Sequence, residues 1–340
     1  MPNLSCIIRS MRKILLILVF VISIVIGILS LGELERTWKT LRHGDIRYIV
    51  FAFFLLLAWI LTEAAGYRAL YKLMDIKEKF KHLVLLSSAS GFINVIAPSG
   101  GFGGGAIFVD DAGKRGHPRG LAAAVGALYI FMEYAAFMVV LTMGWVVFIR
   151  RNDLKPGEIT ASFIMLAIVV GLGILIYIGS HSGEQLGRIL GRSAHRVNLI
   201  LWPLLHREYF HEIAAHEFGV EVAEGLSILR VKHRGIIIPF LLALNSKLLQ
   251  ILILGMTFLA FDVPFSIGTI VAGFASAYLF LIVSPTPYGI GVVETLLPLA
   301  LTSLSVAWVD SVIITLTYRG ITFWIPLMLG GISFRMLQRE

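Results

Sequence analysis

Residues 265–304 read FSIGTIVAGFASAYLFLIVSPTPYGIGVVETLLPLALTSL. The run is apolar, but its centre, Pro285 to Gly291, contains two prolines and two glycines. Proline lacks a backbone donor and glycine disfavours helix, so one continuous helix is not expected here. Non-helical backbone at membrane depth is tolerated only where it is buried in protein or lines a wet cavity. The sequence therefore predicts either a re-entrant or discontinuous helix pair, or two ordinary short crossings, 265–284 and 288–304.

A similar break, PSGGFGGG at residues 98–105, interrupts the apolar stretch 83–109. If the N-terminus is cytoplasmic and this stretch dips into the membrane and returns, most loop lysines and arginines face the cytoplasm. A complete crossing would put most of them outside. The positive-inside rule therefore favours a re-entrant first break, with both termini cytoplasmic. Two such breaks, in similar positions of the two halves, are typical of inverted-repeat transporters, whose broken helices mark the binding site.

The composition extends this interpretation to the whole chain. Hydrophobic residues make up 57% and charged residues 15% of the 340 residues, and mean hydropathy is +0.86. A soluble globular protein could not cover so much apolar surface. We expect an all-α fold, a polytopic membrane helix bundle forming one integral membrane domain over 1–340. Its parts are a first half 14–180, a cytoplasmic amphipathic loop 181–235 and a second half 236–333.

The continuous apolar stretches are long enough to cross ~30 Å of hydrocarbon. They lie at 14–32, 47–70, 120–149, 161–180, 236–260 and 306–333. Residues 14–32 follow two basic residues, as a signal peptide would, but the run is long and no A-x-A cleavage site follows. We expect an uncleaved first transmembrane helix.

Charge and cysteine content narrow the function classes. The net charge of +8 in so apolar a chain indicates basic loops against the anionic inner face of the cell (plasma) membrane, so no nucleic-acid partner is expected. The single cysteine, Cys6, allows no disulfide framework. His206, His211 and His216 recur every five residues, which does not place them on one helix face, so we expect no metal site. The chain has no Walker A motif and no assignable catalytic triad, so no cofactor and no catalytic residue are expected.

Ionisable residues inside the apolar stretches carry the strongest functional signal. Glu133, Lys247 and Arg319 lie near the middles of three stretches, Glu294 follows the second break, and Glu63 lies within 47–70. Each charge costs about 2.5 kcal/mol or more at the bilayer centre. The acids could simply hold the bases in place and orient the helices. Alternatively, the charges form a polar groove with cations for a phosphate and carboxylates for amines, hydroxyls or protons.

Two motifs carry a family resemblance. SPTPYGIGVVE at 284–294, followed by YRGITFWIP at 318–326 and Gly330, resembles the flippase-like membrane domain family, also called the lysylphosphatidylglycerol synthase transmembrane region family. The first break, Gly116 and the helix carrying Glu133 match its first half. Many members have an acidic residue and an arginine where Gly105-Ala106 stands here, and an arginine in place of Tyr134.

The resemblance implies that lipids are moved between leaflets, such as aminoacylated phospholipids or polyprenyl-linked intermediates. The sequence ends at Glu340, so the cytosolic aminoacyltransferase domain of the full synthases, and aminoacylation of lipid, are not expected. The first prediction is therefore a flippase- or scramblase-like lipid translocase, not an enzyme, whose partners are anionic or polyprenyl-phosphate lipids. Alternatives are a membrane-embedded enzyme or subunit acting on a lipid-linked sugar or phospholipid, and a scaffold that binds a cytosolic partner through 181–235. The oligomeric state is left open.

The predicted lipid-binding residues are the midplane charges and the residues of the two breaks, whose glycines would let backbone approach the lipid. The glycines of the first break could serve as an anion cradle or as a close helix contact. The complete set is Pro98, Gly100, Gly101, Glu133, Lys247, Pro285, Pro287, Gly289, Gly291, Glu294 and Arg319.

Overall fold

The computed structural model describes residues 44–96, 103–151, 156–205, 211–284 and 286–339. These ranges form α-helices with short 3₁₀ and π segments and contain no strand. The predicted first helix, 14–32, lies outside the described residues. So do four of the predicted site residues, Pro98, Gly100, Gly101 and Pro285.

Twelve α-helices occur in the described ranges. In chain order they are α1 Ile46–Leu73, α2 Phe80–Ile96, α3 Gly103–Lys114, α4 Arg119–Arg151, α5 Pro156–His181, α6 Gly183–Leu205, α7 Glu212–Ser227, α8 Ile237–Ala260, α9 Ile267–Val283, α10 Val292–Ser303, α11 Trp308–Arg319 and α12 Ile325–Leu337. Short 3₁₀ segments cover Ile228–Arg230, His233–Ile236 and Pro287–Gly289, and a π segment, Gly320–Trp324, joins α11 to α12.

Five helical segments of the described chain are long and apolar enough to cross a membrane. They are Ile46–Leu73, Arg119–Arg151, Pro156–His181, Arg234–Ala260 and Trp308–Leu337, which confirms the five predicted crossings after 14–32. Their outer faces expose large apolar side chains such as Phe163 and Ile174, whereas Phe137, Phe258 and Phe274 are fully buried. A surface of this kind suits lipid rather than water. The protein is an all-α, multi-pass membrane protein.

The first break forms a helical hairpin. The Gly104 N–H, at the start of α3, donates to Asn94 Oδ1 at 2.7 Å, so α3 turns back along α2. At the other end, His82 Nε2 of α2 lies 2.9 Å from Asp111 Oδ2 of α3. The chain therefore enters and leaves the bundle at the same end. The twelve residues of α3 span only about 18 Å, too little to cross ~30 Å of hydrocarbon.

The second break forms a hairpin from α9 and α10. Arg151, the last residue of α4, donates to the Leu304 carbonyl at 2.9 Å and to Ser266 Oγ at 3.3 Å. One arginine thus bridges the start of α9 and the end of α10. The tip, by contrast, lies level with the middle of the bundle, because the Tyr288 carbonyl accepts from Arg319, near the middle of Trp308–Leu337, at 3.3 Å. This geometry corresponds to re-entry and not to two ordinary crossings.

The two hairpins enter the bundle from opposite ends. The end of α3 lies at the N-terminal end of α4, where Arg119 packs against Gly113. The ends of α9 and α10 lie at Arg151, the C-terminal end of α4, about 50 Å away along this helix of 33 residues. An inverted repeat requires such opposite entry, and the repeat itself stays a prediction. Which end faces the cytoplasm stays a prediction.

The polar segment 181–235 folds into α6 and α7, which pack against each other and dock on the bundle. A Cβ atom at Gly120 of α4 would lie 2.6 Å from the Glu221 backbone of α7, so the two helices touch through glycine. On α7, Ile213 is 76% exposed, whereas Ala223 and Leu226 are buried. Small residues permit close approach to α4, so they set the buried face.

A glycine contact also fixes α12 against α2, and it gives a stability prediction. A Cβ atom at Gly330 would lie 2.5 Å from the Ser88 carbonyl and 2.9 Å from Phe92 Cβ. Gly330→Ala is therefore expected to lower stability by about 1–3 kcal/mol through overpacking, measured by thermal unfolding in detergent. Gly126→Ala in α4 is the control, because no atom lies within 4 Å of its added methyl. Equal melting temperatures for the two variants would contradict the close contact.

Candidate functional site

The first membrane ion pair joins Lys247 of α8 to Glu133 of α4. Lys247 Nζ lies 2.5 Å from Glu133 Oε2 and donates to Tyr278 Oη of α9 at 2.5 Å. Lys247 is 1% exposed and Glu133 8% exposed, so the pair is closed off from its surroundings. The ring of Phe137, one turn after Glu133, packs on Tyr278 with 4.6 Å between ring centroids. The pair and these rings hold three helices together.

The second ion pair lies at the tip of the α9–α10 hairpin. Arg319 Nε, at the end of α11, donates to Glu294 Oε1 at 2.6 Å, and its guanidinium lies 4.4 Å from the Phe323 ring centroid. The other carboxylate oxygen of Glu294 accepts the Gly291 N–H at 2.8 Å, in the first turn of α10. A helix N-terminus favours a negative charge at this position. The arginine side chain is 3% exposed, but that of Glu294 is 28% exposed, so this pair is open on the carboxylate side.

Backbone conformation explains the glycines of the tip. Gly289 and Gly291 have φ of +67° and +80°, which side chains rarely tolerate, and Tyr288 adopts φ of +54°. A Cβ atom at Gly289 would also lie 3.1 Å from Leu281 Cα, whereas one at Gly291 would meet no atom within 4 Å. Pro287 begins the 3₁₀ turn. The glycines thus serve the turn, and the predicted close approach of lipid to them stays a prediction.

A small cavity lies beside this tip. Its volume is about 40 Å³, and its polar lining includes Glu63 of α1, Ser87 and Ser88 of α2, Tyr288 and Thr322. Thr322 belongs to the π segment, a local irregularity that often marks functional sites. The cavity therefore brings α1, the first hairpin, the tip of the second hairpin and the π segment to one place.

Glu63 also connects the two ion pairs. It interacts electrostatically with Glu133 and Lys247, and it lines the cavity together with Tyr288, whose carbonyl binds Arg319. The structure thus brings Glu133, Lys247, Pro287, Gly289, Gly291, Glu294 and Arg319 into two adjacent groups.

Sequence reasoning noted Glu63 but did not place it in the site, and it missed the tyrosines. Tyr278 and Tyr288 lie in apolar or turn sequences without a distinctive spacing. Tyr129 stacks on Tyr67 with 3.8 Å between centroids, and its buried hydroxyl has no hydrogen-bond partner among the described residues. The sequence signal for Glu63 is its charge within an apolar run. Its place in the site could not be predicted, because its neighbours come from other helices.

Comparison with known proteins agrees with this architecture. The family described as "Lysylphosphatidylglycerol synthase TM region" matches residues 14–330. The chain belongs to this family. It is also 23% identical over 332 residues to the UPF0104 membrane protein MJ1595 of Methanocaldococcus jannaschii, covering 96% of this chain and 95% of that protein. The resemblance predicted from the two motifs is confirmed, and the family match includes both hairpins and both ion pairs.

A further polar cluster of this family member lies at helix ends. Arg115 and Glu78 join the His82–Asp111 pair at the ends of the first hairpin. Burial raises the pKa of Asp111, but the hydrogen bond from His82 and the charges of His82 and Arg115 outweigh it, and the net pKa is lowered. These contacts close the hairpin.

The histidines of α6 and α7 form pairs with single glutamates. His195 Nδ1 lies 2.7 Å from Glu212 Oε1, and His216 Nε2 lies 3.6 Å from Glu184 Oε2. No three His, Cys, Asp or Glu side chains of the described ranges are grouped so as to hold a metal ion. His206 lies outside those ranges.

Proposed function

We propose that this protein moves a membrane lipid, a phospholipid or a polyprenyl-linked lipid, between leaflets without changing it chemically. The observation that carries the proposal is the Arg319–Glu294 pair at the tip of a re-entrant hairpin. A polar headgroup crosses hydrocarbon at high cost unless polar groups replace its water. A buried arginine with a partly exposed counter-ion offers such a replacement.

The two ion pairs are proposed to have different roles. Lys247 and Glu133 are both buried and bridge three helices, which suits a pair that orients the bundle. Arg319 is buried, but Glu294 is reachable from one side. A guanidinium binds phosphate as well as carboxylate, so a lipid phosphate can take the place of Glu294 on Arg319. Glu294 keeps its bond to the Gly291 N–H during this exchange and is not left without a partner.

The membrane and orientation are part of the same proposal. We place the protein in the cell membrane with both termini in the cytoplasm, because that topology puts most lysines and arginines of the connecting loops inside. The end of the bundle that carries α6 and α7 then faces the cytoplasm.

Translocation in proteoliposomes tests the function. Vesicles with and without the protein receive fluorescent phosphatidylglycerol, phosphatidylethanolamine or a labelled polyprenyl phosphate, and dithionite quenches the outer leaflet. The expected result is protein-dependent quenching beyond the outer-leaflet half for at least one lipid, with the recovered lipid unchanged in mass. Quenching that stops at that half for every lipid, with and without an imposed proton gradient, would overturn the proposal. A changed lipid mass would favour the enzyme alternative.

A further inference from the structure

We propose that Glu63 is a proton-exchange site, served by the small cavity beside it, and that its protonation couples lipid movement to a proton gradient. The coupling rests on the proposed function, whereas the proton exchange does not.

The first argument is the distribution of counter-ions. The two nearby bases are already paired, Lys247 with Glu133 at 2.5 Å and Arg319 with Glu294 at 2.6 Å. Within the described residues, no lysine, arginine or histidine nitrogen lies within 4.0 Å of the Glu63 carboxylate. An unpaired charge in a membrane-crossing helix is costly, and a bound proton removes that charge.

The size of the cavity decides what can reach this carboxyl group. A water molecule needs about 10–15 Å³ of such space, whereas ligand pockets usually measure about 300–1,000 Å³. The cavity beside Glu63 measures about 40 Å³. It therefore has room for a few waters but not for a lipid headgroup, and the exchangeable species is a proton carried by water.

Two hydroxyls of the cavity lining favour a proton on Glu63. The hydroxyls of Ser87 and Thr322 already donate to the Val84 and Tyr318 carbonyls of their own helices. Toward other groups, these hydroxyl oxygens can act only as hydrogen-bond acceptors. They can therefore accept a hydrogen bond from a water molecule or from a protonated carboxyl group. In the exchange, a hydronium ion that reaches the cavity transfers its extra proton to a Glu63 carboxylate oxygen, which becomes a hydroxyl, and a neutral water is left; release reverses the step.

Titratable groups face Glu63 from several packed elements. On α4, the charge of Glu133 disfavours a negative charge on Glu63, and the Tyr129 hydroxyl also interacts electrostatically with Glu63. Lys247 on α8 and the indole N–H of Trp59 on α1 itself both favour a negative charge on Glu63.

The remaining neighbours connect Glu63 to the second ion pair. Tyr67 on α1 and Tyr288 at the hairpin tip both interact with the Glu63 charge, and the serines of α2 contribute no charge. The Tyr288 carbonyl binds Arg319. When Glu63 loses its proton, its negative charge attracts Lys247 away from Glu133. The same charge acts on Tyr288 at the hairpin tip, which binds Arg319. Both ion pairs therefore respond to one proton.

Glu63→Gln tests the proton site, because glutamine keeps the shape of the side chain but cannot exchange the proton. Infrared difference spectra of the protein in lipid, recorded between acidic and alkaline pH, should contain a carboxylic-acid band that the variant lacks. Glu224→Gln, an exposed position on α7, is the control and should keep the band. Glu63→Asp should retain a carboxylic-acid band. Identical difference spectra for wild type and Glu63→Gln would overturn the proton exchange.

The translocation assay under a proton gradient tests the coupling. The gradient should change the wild-type rate, should leave the Glu63→Gln rate unchanged, and should act on Glu224→Gln as on wild type. An equal gradient response in wild type and Glu63→Gln would overturn the coupling. If the wild type moves no lipid, the proposed function and the coupling both fail, while the infrared spectra still decide whether Glu63 exchanges a proton.

Discussion

Replacing Arg319 with glutamine is expected to reduce protein-dependent lipid translocation to the level of protein-free vesicles, while the bundle still folds. The glutamine amide nitrogen takes the place of Arg319 Nε and can donate to the Glu294 carboxylate, but glutamine has no charge with which to bind a phosphate. Glu294 is partly exposed and keeps the Gly291 N–H, so the loss of its partner is tolerated. The dithionite assay measures the rate, and size-exclusion chromatography checks the fold.

Two further variants sharpen this result. Arg188→Gln removes the same side chain from an exposed pair with Glu184, where the nitrogen–oxygen distance is 3.2 Å, and should translocate like wild type. Arg319→Lys keeps the charge but loses the planar guanidinium, so an intermediate rate is expected. Wild-type transport by Arg319→Gln would show that Arg319 does not bind the moving headgroup.

Replacing Lys247 with methionine is expected to destabilise the protein by about 3–5 kcal/mol, because Glu133 is then left buried without its counter-ion. Lys247 is 1% exposed, and its Nζ contacts both Glu133 and Tyr278, so the pair lies in the protein interior. Denaturant unfolding of the protein in mixed micelles measures the loss.

The double variant Glu133→Gln/Lys247→Met should recover most of that stability, since neither buried charge remains. Lys114→Met provides the exposed control. Its ion pair with Asp110, at 2.7 Å, is on the surface, where such pairs contribute only about 0–1 kcal/mol. A Lys247→Met protein as stable as the Lys114→Met protein would contradict the buried pair.

Much of the architecture was predictable because membrane insertion depends on local composition. The five described crossings and the two broken segments follow from apolar length and from the positions of proline and glycine. The distribution of lysine and arginine also predicted that the first break returns to its own side. The Gly104–Asn94 and His82–Asp111 contacts now show this hairpin directly.

The pairing of the buried acids with the buried bases could not be predicted in the same way. The sequence placed two acids and two bases at similar depths but left open which acid binds which base. The structure pairs Lys247 with Glu133 and Arg319 with Glu294, because α8 packs on α4 and the tip of the second hairpin reaches α11. The buried face of α7 likewise depends on tertiary packing, because glycine contacts between α7 and α4 decide which of its residues are covered.

The sequence alone therefore determined the fold class, the family and the places where the helices break, and it predicted the depth of each charge. The cost of placing a residue in hydrocarbon depends on that residue and its near neighbours, so it can be evaluated along the chain. Only the tertiary structure decided which charges meet, which ion pair is open on one side, and that Glu63 lines a cavity beside the tip of the second hairpin. These properties depend on contacts between helices far apart in sequence, whose packing is set by the shapes of the faces that meet.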